Sequence, residues 1–285
     1  MSAVATRVET ETRDLPPVNR PNRRWTRFIL PVYTGVMILY LASPIFVMIL
    51  YGFNDIPGDR QTAKFWGFTL DWWKNVFNIP GLPEAFKNSL LIAPFSAAIA
   101  TALGTFFSLA LGRYRFRGLR AVDFVIFLAI AVPEIVLGSS LLSMYVLGEV
   151  RLGFMTILLS HIGFSIAFVA VTVRARVQGL DRSLEEAAQD LFATPIVGFI
   201  KVTLPLIAPA ILAGFLLAFV LSLDDFVITN FVAGQTNTFP LWVFGAQRIG
   251  IPPQVNVMGT MLFGAGIIAA LASAFGQRRR GRAGA

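Results

Sequence analysis

Three carboxylates and one imidazole stand in apolar surroundings that would not carry them without a reason. Glu134 follows Pro133 near the middle of one long apolar run, Asp224 and Asp225 lie toward the outer end of another, and His161 falls inside a third. An acidic group at the centre of a membrane helix is unfavourable by roughly 2.5–3.5 kcal/mol, so Glu134 is expected to face protein or a water-filled cavity. Pro133 has no N–H to give, which frees the carbonyl of Ala129 and bends the helix beside the carboxylate. Two such acceptors suit an ammonium group. At about 4 Å and an effective dielectric near 20, one ion pair is worth roughly 4 kcal/mol before desolvation is subtracted, which predicts transient binding.

Neighbouring residues on a helix point about 100° apart, so only one of the paired aspartates is expected to face a pathway, and Asp225 is the one chosen. Phe226, Phe231 or Trp242 would add cation–π contacts there. Helix-end capping is the alternative for the aspartates, and a buried interhelical hydrogen bond is the alternative for Glu134. His161 has no acidic neighbour in sequence, and an interhelical hydrogen bond fits it better than a proton relay. The candidate substrate pathway is therefore Glu134, Asp224, Asp225, Phe226 and His161.

A second constellation is mechanical. Ser183-Leu184-Glu185-Glu186 reads as a capping box opening a short helix, and Thr194-Pro195 reads as N-cap and first residue of another. The two helices meet near Phe192. Ala187 and Ala188 give the first helix a small face, and the pair is suited to enter a groove of a partner and move rigidly with it. The same residues also read as a surface amphipathic element in which Glu186 merely caps its own helix.

These residues are positioned by a chain that is 55% hydrophobic and 14% charged, with a mean hydropathy of +0.68, which excludes a soluble domain. Six apolar runs are long enough to span a bilayer: Phe28 to Tyr51, Ser89 to Leu111, Val122 to Val146, Phe154 to Val173, Leu206 to about Phe226, and Met258 to Phe275. Period-2 alternation is absent, so the expected fold is all-α, a polytopic membrane protein of six transmembrane helices. Of the 24 Lys and Arg, 18 fall in the two termini and the alternate loops Arg113 to Arg120 and Arg174 to Lys201. The positive-inside rule then places both termini and the docking loop in the cytoplasm. The net charge of +8 reflects that topology and attraction to anionic lipid, not nucleic-acid binding. Residues 1–27 are expected to be a disordered cytoplasmic tail, 28–275 the six-helix transmembrane domain with its docking helices in 181–205, and 276–285 a basic cytoplasmic tail.

The first run is longer than a signal-peptide core and lacks a cleavage pattern, so it is expected to stay as a helix. Absent cysteine and a single histidine exclude disulfides, thiol chemistry and multi-histidine metal sites. The first outer segment, Gly52 to Asn88, mixes charges with Trp66, Trp72 and Trp73 and is expected to be a structured loop with its aromatics at headgroup level. Ser96, Ala100, Gly104, Ser108 and Gly112 recur every fourth residue and form a small face, equally fit for internal packing or for a second subunit.

The run Glu186-Ala187-Ala188-Gln189-Asp190-Leu191-Phe192, followed after nine residues by Val202-Thr203-Leu204-Pro205, resembles the EAA signature of permease subunits of ABC importers. Two positions depart from it: Phe192 stands where the family usually has Gly, and Val202 where it usually has Ile. If the turn at 192 keeps a left-handed conformation, Phe there costs on the order of 1 kcal/mol. The expectation is a relaxed turn presenting the ring as a knob. Arg113-Tyr114-Arg115-Phe116-Arg117-Gly118, Ser160-His161-Ile162 with Phe168 to Val173, and Ser222-Leu223-Asp224-Asp225-Phe226 through Gly234 are similar to permeases of spermidine/putrescine ABC importers.

That resemblance implies a type I importer permease in the cytoplasmic membrane of a prokaryote. It implies a second permease subunit, two copies of a cytoplasmic ABC ATPase that bind ATP and Mg, and an extracytoplasmic solute-binding protein. The coupling residues it implies are Glu186, Ala187, Ala188, Asp190, Phe192, Leu204 and Pro205. The chain has no phosphate-binding loop of its own and is expected to hold no cofactor and perform no catalysis. The rivals are an importer of the same architecture carrying iron, a phosphonate, a sulfonate or another organic cation, and, from different classes, a membrane-embedded enzyme or a channel. No H-E-x-x-H or G-x-S-x-G occurs, and the Gly264 to Ala269 pattern has no preceding strand and reads as helix packing.

Overall fold

The computed structural model describes residues 26–283 apart from Asp59 and Arg115, with side chains described between 28 and 268. The expected tail 1–27 therefore lies almost wholly outside the described residues. Among those residues the fold is all-α, with one isolated bridge between Asn54 and Phe68.

Three long helices form the centre: α3 (Leu82–Arg113), α6 (Phe154–Gln178) and α9 (Leu204–Leu223). The small-residue stripe decides how closely they pack. Ser96, Ala100, Gly104 and Ser108 are buried within this chain, and a Cβ on Gly104 would come within 2.7 Å of Val169 Cγ1. Ser108 Oγ reaches the Ala170 carbonyl at 2.8 Å. Gly104 and Ser108 thus form an internal α3–α6 seam, held by close backbone approach and a cross-helix hydrogen bond, while Ser96 reaches α9, its Oγ 2.8 Å from Ser222 Oγ. Ala97, Val169, Val173, Ile207 and Ala218 fill the space between the three helices.

Helix α1 (Thr26–Tyr51) packs on α12 (Gln254–Ala283), and its apolar window has no buried residue within the chain. The short α2 (Asp71–Lys74) belongs to the loop between α1 and α3, which is folded as expected. Buried Asn54 ties it together, receiving Trp66 N–H at 2.8 Å while its own carbonyl accepts from Trp72 Nε1 at 2.8 Å. Trp66 is half exposed, and Trp72 and Trp73 are partly buried against the cluster of Val76, Leu82, Val257 and Met258.

The third expected span is not one helix. It breaks at Val132-Pro133 into α4 (Leu119–Ala131) and α5 (Glu134–Leu147), which meet at 104°. Val132 is extended and Pro133 cannot donate to the preceding turn, so the anticipated bend becomes a full stop. The fifth span ends at Leu223, three residues before the expected limit, and is followed by α10 (Val227–Val232) and α11 (Phe239–Gln247). Among the described residues, four helices are long and apolar enough to cross a membrane, or five with the bent pair taken as one span. The sixth expected span, Met258 to Phe275, lies in α12, whose side chains are described only to Ile268.

Candidate coupling loop and cation pathway

Between α6 and α9 the chain makes two short helices, α7 (Ser183–Asp190) and α8 (Pro195–Gly198). Thr194 caps α8 as expected, its side chain accepting the Val197 N–H, with Pro195 as first residue. The start of α7 differs from the expectation: Asp181 Oδ1, not Ser183, takes an exposed N–H, that of Ser183, at 2.9 Å. Arg182 thereby becomes the N-cap, and the helix opens on its carbonyl.

Phe192 lies between the helices at φ +61° and is 97% exposed. The turn is not relaxed. It keeps the left-handed conformation, with Phe192 N–H on the Gln189 carbonyl at 2.8 Å and Ala193 N–H on the Ala188 carbonyl at 3.0 Å. Glu186, Ala187 and Asp190 face outward, Ala188 and Leu204 are half-buried, and Pro205 is exposed. Because Pro205 has no N–H for the preceding turn, Phe199–Thr203 widens to a π-turn in which Leu204 N–H reaches back five residues to Phe199.

The charged anchor of this loop is Glu185, which sequence reasoning passed over for its neighbour Glu186. Arg113 at the end of α3 donates through both terminal nitrogens to the Glu185 carboxylate, Nη1 to Oε2 at 2.8 Å. Thr203 in the π-turn donates to the same carboxylate. Arg182 Nη2 bonds the Arg113 carbonyl at 3.1 Å. Partial burial pushes the Glu185 carboxyl up, but the hydrogen bonds from Thr203 and Arg113 and the charges of Arg113 and Arg182 outweigh it and hold the group below its ordinary range. One carboxylate thus joins α3, α7 and the root of α9. Only Arg113's place among the quoted family-like stretches hinted at this.

At the other end of α9 the two aspartates part company. Asp225 is buried, and its Oδ2 accepts from Thr229 N at 2.8 Å and Thr229 Oγ1 at 2.7 Å, with Ile228 N near Oδ1 at 3.3 Å. It caps α10. Asp225, chosen from the sequence as the member that faces a pathway, is thus buried within the chain, and Asp224 is the exposed one. His161 supplies the acidic contact that sequence proximity did not reveal, with Nε2 at 3.1 Å from Asp225 Oδ2 and 3.0 Å from Thr229 Oγ1. Its Nδ1 lies 2.7 Å from Ser222 Oγ, which is 2.8 Å from Ser96 Oγ. Ser96, Ser222, His161 and Asp225 thus form one connected hydrogen-bonded chain linking α3, α9, α6 and the start of α10, in which each of the four side chains has a partner.

Glu134 is the first residue of α5 and is exposed within the chain. Helix α5 packs on α10 closely enough that a Cβ on Gly138 would meet Phe231 at 2.5 Å. Phe231 is spent in that contact, and Trp242 Nε1 turns to the Pro80 carbonyl at 3.4 Å, so neither joins Asp224. Phe226 does lie beside it, its ring tilted against that of Phe244.

A family model described as binding-protein-dependent transport system inner membrane component matches residues 104–278. The chain belongs to this family. Among its relatives, the spermidine/putrescine transport system permease protein PotC of Escherichia coli (strain K12) is 39% identical over 235 residues, covering 82% of this chain and 88% of that one. The putrescine transport system permease protein PotI of the same strain is 37% identical over 268 residues, covering 91% and 92%. A crystal structure of a bacterial ABC transporter involved in the import of the acidic polysaccharide alginate superposes with a TM-score of 0.64 at 19% identity, over 92% of this chain and 99% of that one. An amino acid ABC transporter superposes with a TM-score of 0.56 at 19% identity, over 74% and 100%. At these identities the structural likeness is one of fold, that of ABC importer permeases, and this inner membrane component shares it. The helical pair α7–α8 and the break between α9 and α10 lie inside the segment that the family model matches.

Proposed function

We infer that the chain is one permease subunit of an ATP-driven importer that moves a polyamine, spermidine or putrescine, across the cytoplasmic membrane. The observation that carries this reading is the joint presence of a docking loop clamped to two transmembrane helices and of carboxylates at helix breaks, in a chain 37–39% identical to polyamine permeases.

The energy comes from two copies of a separate cytoplasmic ABC ATPase that bind ATP and Mg. Exposed Glu186, Ala187, Asp190 and Phe192 face that ATPase, while the Arg113–Glu185–Thr203 clamp passes its motion to α3 and α9. A second permease subunit completes the pathway, and an extracytoplasmic binding protein delivers the cargo. Both termini and the loop are cytoplasmic, in keeping with the bias of Lys and Arg. Glu134 and Asp224 attract the polycation, and Asp225 and His161 hold the backbone that presents Asp224. Transport proceeds by alternating access, opening outward for delivery and inward for release.

The test is uptake by vesicles carrying the complete complex, with labelled spermidine, labelled putrescine and an unrelated labelled sugar. ATP-dependent accumulation of a polyamine, competed by the other polyamine and not by the sugar, is expected. ATP-dependent uptake of the sugar with none of either polyamine contradicts the reading.

A further inference from the structure

The break between α4 and α5 leaves a cavity of about 280 Å³ in the elbow against α6. Val125, Leu128, Ala129 and Val132 wall it from one face of α4, at i, i+3, i+4 and i+7, and Leu137 and Leu141 close it from α5. Ser160 brings the one hydroxyl among the residues that line it, and that hydroxyl already donates to the Thr156 carbonyl at 2.6 Å, with Tyr145 Oη 3.1 Å away. Such a space offers water no partner and suits hydrocarbon. On the α6 side a notch deepens it: a Cβ on Gly163 would meet no atom within 4 Å. Glu134, which opens α5, is not among the lining residues.

Depth and charge identify the hydrocarbon. The turn from α3 into α4 lies at a membrane surface, and the 13 residues of α4 rise about 20 Å from it, against about 15 Å for one leaflet's share of the hydrocarbon core. The elbow therefore sits close to the bilayer midplane, where acyl chains end. At the foot of the same helix Arg117 and Arg120 are exposed and have no acidic partner among the described residues, whereas Arg174 on α6 is engaged by Asp123, Nη2 to Oδ2 at 3.3 Å. Exposed Tyr114 and Phe116 stand beside them, the basic and aromatic pairing of a headgroup contact. We propose that the exposed side of α4 seats one anionic phospholipid, its phosphate on Arg117 and Arg120 and the end of an acyl chain in the elbow cavity. No residue of α4 is buried within the chain, and Pro133 gives no hydrogen bond across the break. The lipid supplies the packing that holds the two halves of the broken span at their angle.

The chain contains no cysteine, so Leu159→Cys, at the exposed lip of the cavity, puts a single thiol of this subunit there for a bimane label. The complete transporter, its other subunits free of cysteine, is placed in nanodiscs holding a fixed fraction of phosphatidylglycerol or of phosphatidylcholine with a brominated oleoyl chain. The brominated phosphatidylglycerol should quench with about fivefold higher relative association than the phosphatidylcholine, falling to about twofold or less when Arg117→Gln and Arg120→Gln are combined. Gly163→Leu, which fills the notch, should lower the quenching by about half, and the arginine changes should then lower it little further, since one lipid carries both ends. Gly163→Ala, with a smaller effect in the same direction, serves where Gly163→Leu does not assemble. Leu39→Cys on α1, exposed within the chain, is the control and should show neither effect. Equal association of the two lipids, or quenching indifferent to Gly163→Leu and Gly163→Ala, overturns the seat. So does a label at 159 that neither lipid quenches, the result expected where another subunit covers this face.

Discussion

Arg113 and Glu185, 72 residues apart, meet fork to fork, and Thr203 closes on the same carboxylate from the root of α9. A planar guanidinium can make that paired contact and a lysine cannot. The α7–α8 loop is therefore fastened to the transmembrane body at a defined angle, and a push on the loop is delivered to α3 and α9 together.

Arg113→Lys is expected to lower spermidine uptake by on the order of tenfold while the ATPase still binds, since charge is kept and geometry lost. Uptake and ATP hydrolysis measured on the same vesicles check this, with hydrolysis persisting as uptake falls.

The clamp also predicts an acid limit. Glu185 is held below its ordinary range, so its ionised form is preferred in the folded state. Its contribution is complete above the unfolded value, near 4.3, and is lost as pH falls through the lower folded value. The difference in Tm between the protein and Glu185→Gln should be constant above about pH 5 and shrink only below about pH 4.

Asp224→Asn and Asp225→Asn should both depress uptake for different reasons. Asp225 accepts hydrogen bonds on both oxygens, so an amide must point N–H at a donor, a loss of roughly 1–3 kcal/mol. Thermal unfolding of the purified subunit should fall by several degrees for Asp225→Asn and stay unchanged for Asp224→Asn.

Phe192→Gly relieves a left-handed phenylalanine, worth about 1 kcal/mol, and removes no packing within the chain. The chain should be slightly more stable, and coupling should weaken if the exposed ring seats in the ATPase. Unchanged or improved uptake per ATP hydrolysed removes the knob.

At the α3–α6 seam, Gly104→Leu has no room beside Val169 and should lower stability by about 1–3 kcal/mol. Denaturation in detergent reads it out, and Leu103→Ala, on the exposed side of α3, is the control.

What the sequence made legible was whatever lies along it. The apolar runs, the all-α class, the Thr194-Pro195 start of α8 and the EAA spacing are all local patterns. The small-residue stripe was visible as a face, but only the position of Val169 decides that the face is internal. What stayed hidden was long-range. His161 lacks a nearby acid in sequence and meets Asp225 64 residues away. Which aspartate turns inward depends on α9 stopping at Leu223 so that Asp225 caps α10, a boundary that hydropathy does not fix. Pro133 announced a bend, but extended Val132 in front of it turned the bend into a break of 104°. Glu185 was overlooked because its partner is Arg113, and Ser183 was given a capping role that Asp181 performs.

The most direct test of the central claim is the number of labelled spermidine molecules taken up per ATP hydrolysed by reconstituted complexes whose residues 186–192 are natural or scrambled. The natural loop should support ATP-dependent uptake, and the scrambled loop should abolish it and release the ATPase on purification. Normal uptake with the scrambled loop contradicts the account.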